Sequence, residues 1–367
     1  MPEVPLAALR VRSVRCTPVE VPLRYVLGTS AATIQAAPLL LLELLTEQGV
    51  TGRAYIFCYR RSAAKPIAAL VEDACEIVRG DPVAPVAIAA KLQRRFALIG
   101  VTGLVRMALS VFDMALWDAL AVAAGAPLVT LLGGSPRPVR AYNSCGLGLM
   151  SPQAAADEAQ ALLEGGLRAV KLRLGYATLN EDLAVTRAVR ARLPASVELM
   201  VDYNQALSRH EALLRGRALQ SEGVSWLEEP IRQDDLAGCA ELARELHLPV
   251  QIGENFDGPK DLLRAIQAQA CDLAMPDVAR IGGVTGWMQA AGVAEAHGIP
   301  MSSHLMPEVS AHLLAATPTA HWLEYVDWSD AVAAEPVEIV DGCWPLGDKP
   351  GTGLEWDADK VARWRIE

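Results

Sequence analysis

The chain reads as an α/β protein, a C-terminal (β/α) barrel of the TIM type preceded by a smaller α+β domain. Three observations predict this. Short β-type runs alternate with amphipathic helical stretches from Val139 to Val326, eight units in all, which fits a closed barrel better than an open sheet. The segment before them is organised differently, with strands first and a long helical region after. Between the two stand Gly133, Gly134, Pro136 and Pro138, residues that punctuate a chain. The expected domains are residues 1–135 (α+β), 136–330 (barrel) and 331–367. The last is an irregular tail rich in Pro, Gly and Trp that runs back over the first domain.

In order, residues 10–23 and 38–59 have strand character. "PLLLLELLTEQGVTGRAYIFCY" suggests two strands joined by the turn "EQGVTG", a hairpin signal. Helical periodicity then holds from Ala63 to Leu132. Its clearest part, "LVRMALSVFDMALWDALAVAAG", is a long apolar helix closed by Gly125. The barrel strands follow as "VRAYNSC", "AVKLRL", "VELMVDYN", "WLEEP", "VQIGEN", "DLAMPD", "MSSH" and "HWLEYV".

The whole chain excludes some functions. A formal net charge of −10 speaks against a nucleic-acid partner, which calls for a basic surface. The strongest apolar run, Ala36–Leu45, is broken by Glu43 and is far short of the roughly 20 residues of a membrane span. The start, "MPEVPLAALRVRSV", lacks a basic region followed by an apolar core, so no signal peptide is expected. Seven cysteines, none in a CxxC pair, are expected as reduced thiols of a cytoplasmic protein.

Barrel chemistry sits at the C-terminal ends of the strands. Here those ends carry Lys171 and Arg173, Asp202 and Asn204, Glu228, Glu254, Asp277, His304 and Glu324. Lys171 and Arg173 alternate onto one strand face. So many carboxylates at one mouth repel each other and call for a cation. Asp202, Glu228 and Glu254 come from successive strands. Three single carboxylates make a hard-oxygen site suited to Mg²⁺, and no cysteine or second histidine joins them to favour zinc. Glu229 is expected to turn away, because alternation lets only one of the Glu228–Glu229 pair face the axis. Asp277 ends one strand and His304 the next. A carboxylate beside an imidazole fixes its tautomer and raises its basicity, as a general base requires. Glu324 can donate a hydrogen bond if protonated, and crowding by carboxylates would raise its pKa.

Each residue alone has a plainer reading. A strand-end Asp caps the next helix, Lys171 and Arg173 stitch the rim, and a lone His304 is a satisfied structural histidine. His210, His247, His297, His312 and His321 are read that way. The ensemble in strand order is what points to a site. It suits removal of a proton α to a carboxylate through an enediolate.

The stretches "RAVKLRLGY", "MVDYNQ", "WLEEP", "GENFDGP", "LAMPDVARIGGVTGW", "GIPMSSHL" and "SAHLLAATPTAHWLE" carry a resemblance. In this order and spacing the chain resembles the enolase superfamily, mandelate racemase subgroup, over nearly its whole length. The resemblance implies that the first domain caps the barrel, with two loops, around Val26–Ala37 and Tyr55–Arg61, closing over a small carboxylate substrate. It implies Asp202, Glu228 and Glu254 as Mg²⁺ ligands and His304 with Asp277 as a base dyad. Glu324 would be the acid on a substrate carboxylate oxygen, Asn204 and Ser144 would touch the substrate, and Lys171 would assist. A homo-oligomer is expected. One position departs. The family motif on this strand is Lys-x-Lys, its second lysine being the other general base, and here that residue is Arg173. Free arginine holds its proton about three pH units more tightly than free lysine, so Arg173 is expected to act as a cation more than as a base.

The expected lid is apolar. From Tyr25 to Leu42 no residue is charged, and Tyr55, Phe57 and Tyr59 alternate along a strand. Arg60 and Arg61 are the exceptions. Polyol acids need hydrogen-bond partners for their hydroxyls, which this lid offers sparsely. The expected reaction is racemisation or one-sided proton exchange of an apolar or aromatic 2-hydroxy acid. The alternative is an acid-sugar dehydratase with His304 as sole base and acid. A Schiff-base aldolase on Lys171 and a silent Mg²⁺-binding protein are the readings from other classes.

Overall fold

A computed structural model describes residues 6–30 and 32–367. Residues 1–5 of the expected first domain and residue 31 of its first expected loop lie outside the described residues. The strands β1 (Val11–Gly28), β2 (Thr33–Thr46) and β3 (Thr51–Phe57) form one antiparallel sheet in that order. The β2–β3 turn falls where "EQGVTG" predicts it, closed by Thr46 N–H donating to the Val50 carbonyl at 2.9 Å. Three helices follow, α1 (Arg61–Val78), α2 (Pro85–Arg95) and α3 (Gly103–Ala123). The sheet packs on α3, and the approach is close enough to need glycine. A Cβ on Gly52 would lie 2.0 Å from the Ala115 carbonyl oxygen.

Helix α3 is apolar nearly all round because it is covered on several sides. Its buried carboxylates each tie two parts of the molecule together. Asp113 accepts from Thr285 N–H (2.9 Å) and Thr285 Oγ1 (2.6 Å) in the barrel. Asp118 accepts from Arg53 N–H in the sheet (2.7 Å) and from Thr352 N–H in the tail (2.7 Å).

The barrel strands are β4 (Val139–Asn143), β5 (Ala169–Arg173), β6 (Glu198–Asp202), β7 (Val224–Glu228), β8 (Val250–Ile252), β9 (Leu273–Ala274) and β10 (Leu323–Tyr325). They run parallel in the order β10-β4-β5-β6-β7-β8-β9. The expected strand "MSSH" is not a strand but a set of single bridges between β9 and β10. Ser302 N–H donates to Ala274 and His304 N–H to Pro276 on one side, while Ser303 N–H donates to Trp322 on the other. Alternating bonds close the ring without a regular ladder.

Inside the barrel, Tyr142, Ala169, Met200, Trp226 and Trp322 form a separate apolar layer. Side chains two residues further along β5, β6 and β7 point the same way. They are Lys171, Asp202 and Glu228, one layer nearer the mouth. The apolar plug below is what leaves these charges no direction but the mouth.

The tail serves both domains. Strand β11 (Cys343–Trp344) pairs antiparallel with β4 of the barrel, an attachment the sequence did not suggest. Beyond it, Leu128 N–H donates to Gly351 and Ile366 N–H to Pro18 of the first domain. Among the described residues no helix is long and apolar enough to cross a membrane.

Candidate active site

Lys171 sits at the centre of the barrel mouth. Its Nζ lies 2.6 Å from Glu228 Oε1, 2.8 Å from Glu324 Oε1 and 3.8 Å from Asp202 Oδ2. Burial opposes the charge, but Glu228 and Glu324 outweigh it and hold the Lys171 pKa well above its usual value. Such a group is a fixed cation. A Schiff-base lysine needs the opposite shift, which removes support from the aldolase reading.

Asp202, Glu228 and Glu254 each bring one carboxylate oxygen within 4.8 Å of the others. Glu228 also accepts from Trp226 Nε1 (3.0 Å) and Gln251 Nε2 (3.2 Å). Burial, with its carboxylate neighbours, pushes Glu228 up to about 8 even against the pull of Lys171. Asn204, at φ +47°, folds back on Asp202, its Nδ2 donating at 2.9 Å to Oδ2. That leaves the Asn204 Oδ1 atom buried and unpartnered.

His304 and Asp277 meet as expected, Nδ1 to Oδ2 at 2.6 Å. Asp277 is fixed in turn by accepting from Ala279 N–H at 2.6 Å. The other imidazole nitrogen, Nε2, lies 3.3 Å from Glu254 Oε2. Burial disfavours a charged ring here, but Glu254, Glu324 and Asp277 raise His304 to about 10.

Two expectations are corrected. Crowding by neighbouring carboxylates was expected to raise the Glu324 pKa. Burial does push that way, but Lys171, His304 and Ser144 hold Glu324 well below the usual carboxylate range. It is a braced carboxylate, accepting also from Leu305 N–H at 2.8 Å. Ser144 was expected against the substrate. Its hydroxyl is buried behind Glu324, donating to Oε1 at 2.7 Å and accepting from Arg173 Nη2 at 2.7 Å, and it does not line the cavity.

Arg173 borders the cavity, yet its guanidinium is turned to the backbone. Nη1 donates to the carbonyls of Ser144 and Gly146, both at 2.9 Å. Among the described residues it makes no ion pair.

The cavity has a volume of about 300 Å³. Lys171, Asp202, Glu254, His304 and Glu324 lie at its floor, and Leu27, Ile34, Phe57 and Tyr59 of the first domain cover it. The Phe57 ring meets Tyr59 at a tilt (4.6 Å) and Trp328 edge-on (4.8 Å). Tyr55, expected on the same aromatic face, is instead buried elsewhere, its hydroxyl donating to Glu308 Oε2 at 2.6 Å. The first expected loop is mostly hairpin. Its tip is seated by Ser30 Oγ donating to the Tyr203 carbonyl at 2.9 Å and Leu149 N–H donating to Gly28 at 2.9 Å. A Cβ on Gly148 would meet Gly28 N at 2.4 Å, so this seat needs a glycine.

Sequence reasoning missed Glu229, Asn255, Arg280 and Trp328, all on the cavity wall. Glu229 has φ +34°, which breaks the alternation that was to turn it away. Arg280 carried a usable signal as the lone cation in the short helix after Asp277. Trp328 lies past the last strand, where no periodicity speaks for it.

A capped barrel with a carboxylate triad and a His–Asp pair on its strand ends defines an enzyme of the enolase class. Residues 11–133 match the mandelate racemase / muconate lactonizing enzyme N-terminal domain and residues 154–360 the enolase C-terminal domain-like family, and the chain belongs to that superfamily, in its mandelate racemase / muconate lactonizing enzyme family. An enolase from alpha proteobacterium BAL199, solved with bound Mg, is 45% identical, with a TM-score of 0.96 over 98% of this chain and 100% of that one. An enolase from Bradyrhizobium, solved with magnesium and mandelic acid, is 40% identical, with a TM-score of 0.94 over 98% and 99%. The L-talarate/galactarate dehydratase of Salmonella typhimurium is 31% identical over 89% of this chain and 82% of its own. Other relatives are cycloisomerases and epimerases.

Proposed function

We propose that the protein removes the α-proton of an aromatic or otherwise apolar 2-hydroxy carboxylate through an enediolate, with His304 as base. Racemisation or one-sided exchange is the outcome. The observation that carries this reading is the His304–Asp277 pair, held at 2.6 Å on the floor of a cavity whose cover is apolar.

Mg²⁺ fits the donor set. Three carboxylates converge, an unpartnered Asn204 oxygen is buried beside Asp202, and burial, with the neighbouring carboxylates, disfavours ionised Glu228. Asp202, Glu228 and Glu254 would hold the ion. Bound there, it supplies positive charge against the negative charge that develops on the substrate.

The chain's own groups do the rest. Asp277 accepts the Nδ1 proton of His304. Nε2, whose proton Glu254 favours, would face the substrate α-carbon as the free base once a cation engages Glu254. Lys171 holds Glu324 and Glu228 in place as a fixed cation. Glu324 is a carboxylate until substrate brings a further negative group against it, and donating to that group requires it to take a proton. Arg173, spent on backbone carbonyls, leaves His304 as the one efficient base.

The mandelic acid bound by the Bradyrhizobium relative, an aryl 2-hydroxy acid, supports the substrate class. The second reading is an acid-sugar dehydratase. It is favoured by the engaged Arg173, since dehydration needs only one base, and by the Salmonella relative. The test is a screen of 2-hydroxy acids and acid sugars in D₂O. It reads α-deuterium in recovered substrate and 2-keto acid formed. Deuterium exchange in aryl acids without keto acid supports the first reading. Keto acid from a polyol acid replaces it with the second. Full activity in excess chelator would remove the metal from both.

A further inference from the structure

The cavity wall holds a chain of contacts that joins the first domain to the carboxylate triad. The guanidinium of Arg280 lies over the Tyr59 ring, 4.6 Å from its centre. From the same guanidinium, Nη1 donates to Asn255 Oδ1 at 3.0 Å. The other end of that amide, Nδ2, donates to both oxygens of Glu229 (2.9 and 3.0 Å) and reaches Glu254 Oε1 at 3.3 Å. So three side chains lead from the cover of the cavity to one of the three carboxylates that converge at its floor.

Two further features mark this chain as more than packing. Tyr59 sits just past β3 at φ +60°, a left-handed conformation that is strained for a residue with a side chain. Glycine would fit that turn without cost, so the ring is retained against the backbone's preference. And the Nε atom of Arg280 is buried without a partner, so the side chain is placed for its Tyr59 and Asn255 contacts and not for full hydrogen bonding.

We propose that Arg280 is a positioning residue that couples the cover to the metal-binding carboxylates, carrying the Tyr59 ring on one face and orienting Glu254 through Asn255. The proposal rests on the Mg²⁺ reading above. Its consequence is reciprocal. A change at Tyr59, on the cover of the cavity, alters Mg²⁺ affinity, and loading with Mg²⁺ tightens the cover.

The experiment is a double-mutant cycle on Mg²⁺ binding itself, measured by titration calorimetry with Mg²⁺ alone as the probe. The parent, Tyr59→Leu, Arg280→Met and the double variant are compared, each checked for an unchanged melting transition. Tyr59→Leu and Arg280→Met should each weaken Mg²⁺ binding by about five-fold, the scale of a partly buried cation–π contact. The double variant should be no weaker than Arg280→Met, since both cut one chain. If Arg280→Met does not fold, Asn255→Ala takes its place, and Tyr59→Leu should then have no effect in that background. A parent that binds Mg²⁺ while Tyr59→Leu binds it equally well overturns the coupling. So does a double variant weakened by the product of the two single effects. A parent that binds no Mg²⁺ overturns the metal reading and this proposal with it.

Discussion

Arg173 and Ser144 are joined twice. The Nη1 atom donates to the Ser144 carbonyl at 2.9 Å and Nη2 to its hydroxyl at 2.7 Å. Through that hydroxyl, which donates to Glu324 Oε1, an arginine on β5 braces a carboxylate on β10. A lysine has one nitrogen and cannot reach both atoms of Ser144 with a planar fork. The position where the family motif has its second lysine thus holds, in this chain, part of the frame around Glu324.

The Lys171 contacts set a stability prediction. Replacing Lys171 by Met leaves Glu228 and Glu324 buried and facing each other without the shared cation. Removing one partner of a buried ion pair costs about 3–5 kcal/mol. Lys171→Met should lower the unfolding free energy read from urea titration by that amount without Mg²⁺, and by less with Mg²⁺ present. A loss below about 1 kcal/mol in metal-free protein would show that Lys171 is not what compensates those carboxylates.

How far the sequence could be read follows from particular residues. Lys171, Asp202 and Glu228 were legible because period-two alternation and strand ends place them without knowledge of the rest of the molecule. Glu229 and Asn204 were harder, because positive φ at both re-aims their side chains after the strand stops. The charge state of Glu324 was misread because it depends on Lys171, five strands away along the chain and adjacent only once the barrel closes. Tyr55 and Phe57 share a strand face, yet only Phe57 reaches the cavity, since Glu308 claims the Tyr55 hydroxyl.

Asp113 predicts a pH dependence of stability. Burial pushes its pKa up to about 7, against the hydrogen bonds from Thr285 and Val284. The folded state therefore binds a proton more tightly than the unfolded chain does. Below about pH 4 both states are protonated and no penalty arises. Between about pH 4 and 7 stability falls as pH rises, by at most roughly 4 kcal/mol, and the penalty is complete above that window. Asp113→Asn should flatten this slope when urea unfolding is compared at pH 5 and pH 8. An unchanged difference between the two pH values would assign the slope to other groups.

Phe57 tests the cover. Its ring is buried between Tyr59 and Trp328, and such aromatic pairs contribute about 0.5–1.5 kcal/mol beyond their area. Phe57→Ala should raise KM for an aryl 2-hydroxy acid by about ten-fold. If KM for the best aryl acid does not move, the cover does not select the substrate, and the polyol acids become the better candidates.

The last prediction concerns the two faces of the substrate. His304 is oriented by Asp277 and presents Nε2 to the cavity. On the opposite side Arg173 donates hydrogen bonds to the carbonyl oxygens of Ser144 and Gly146. An arginine engaged this way can supply positive charge to an enediolate, and arginine is in general a poorer base than lysine. Proton exchange should therefore be lopsided. One pure enantiomer of the substrate should incorporate α-deuterium much faster than the other, by about a hundred-fold or more, because free arginine is a far weaker base at neutral pH than imidazole. His304→Asn should abolish that exchange while the melting transition holds. Arg173→Lys should open exchange from the slow enantiomer, because lysine gives up its proton more readily, and at the same time slow the fast one, because the brace on Ser144 and Glu324 is lost. A parent that exchanges both enantiomers at similar rates would mean that Arg173 leaves its backbone carbonyls during turnover and acts as a base.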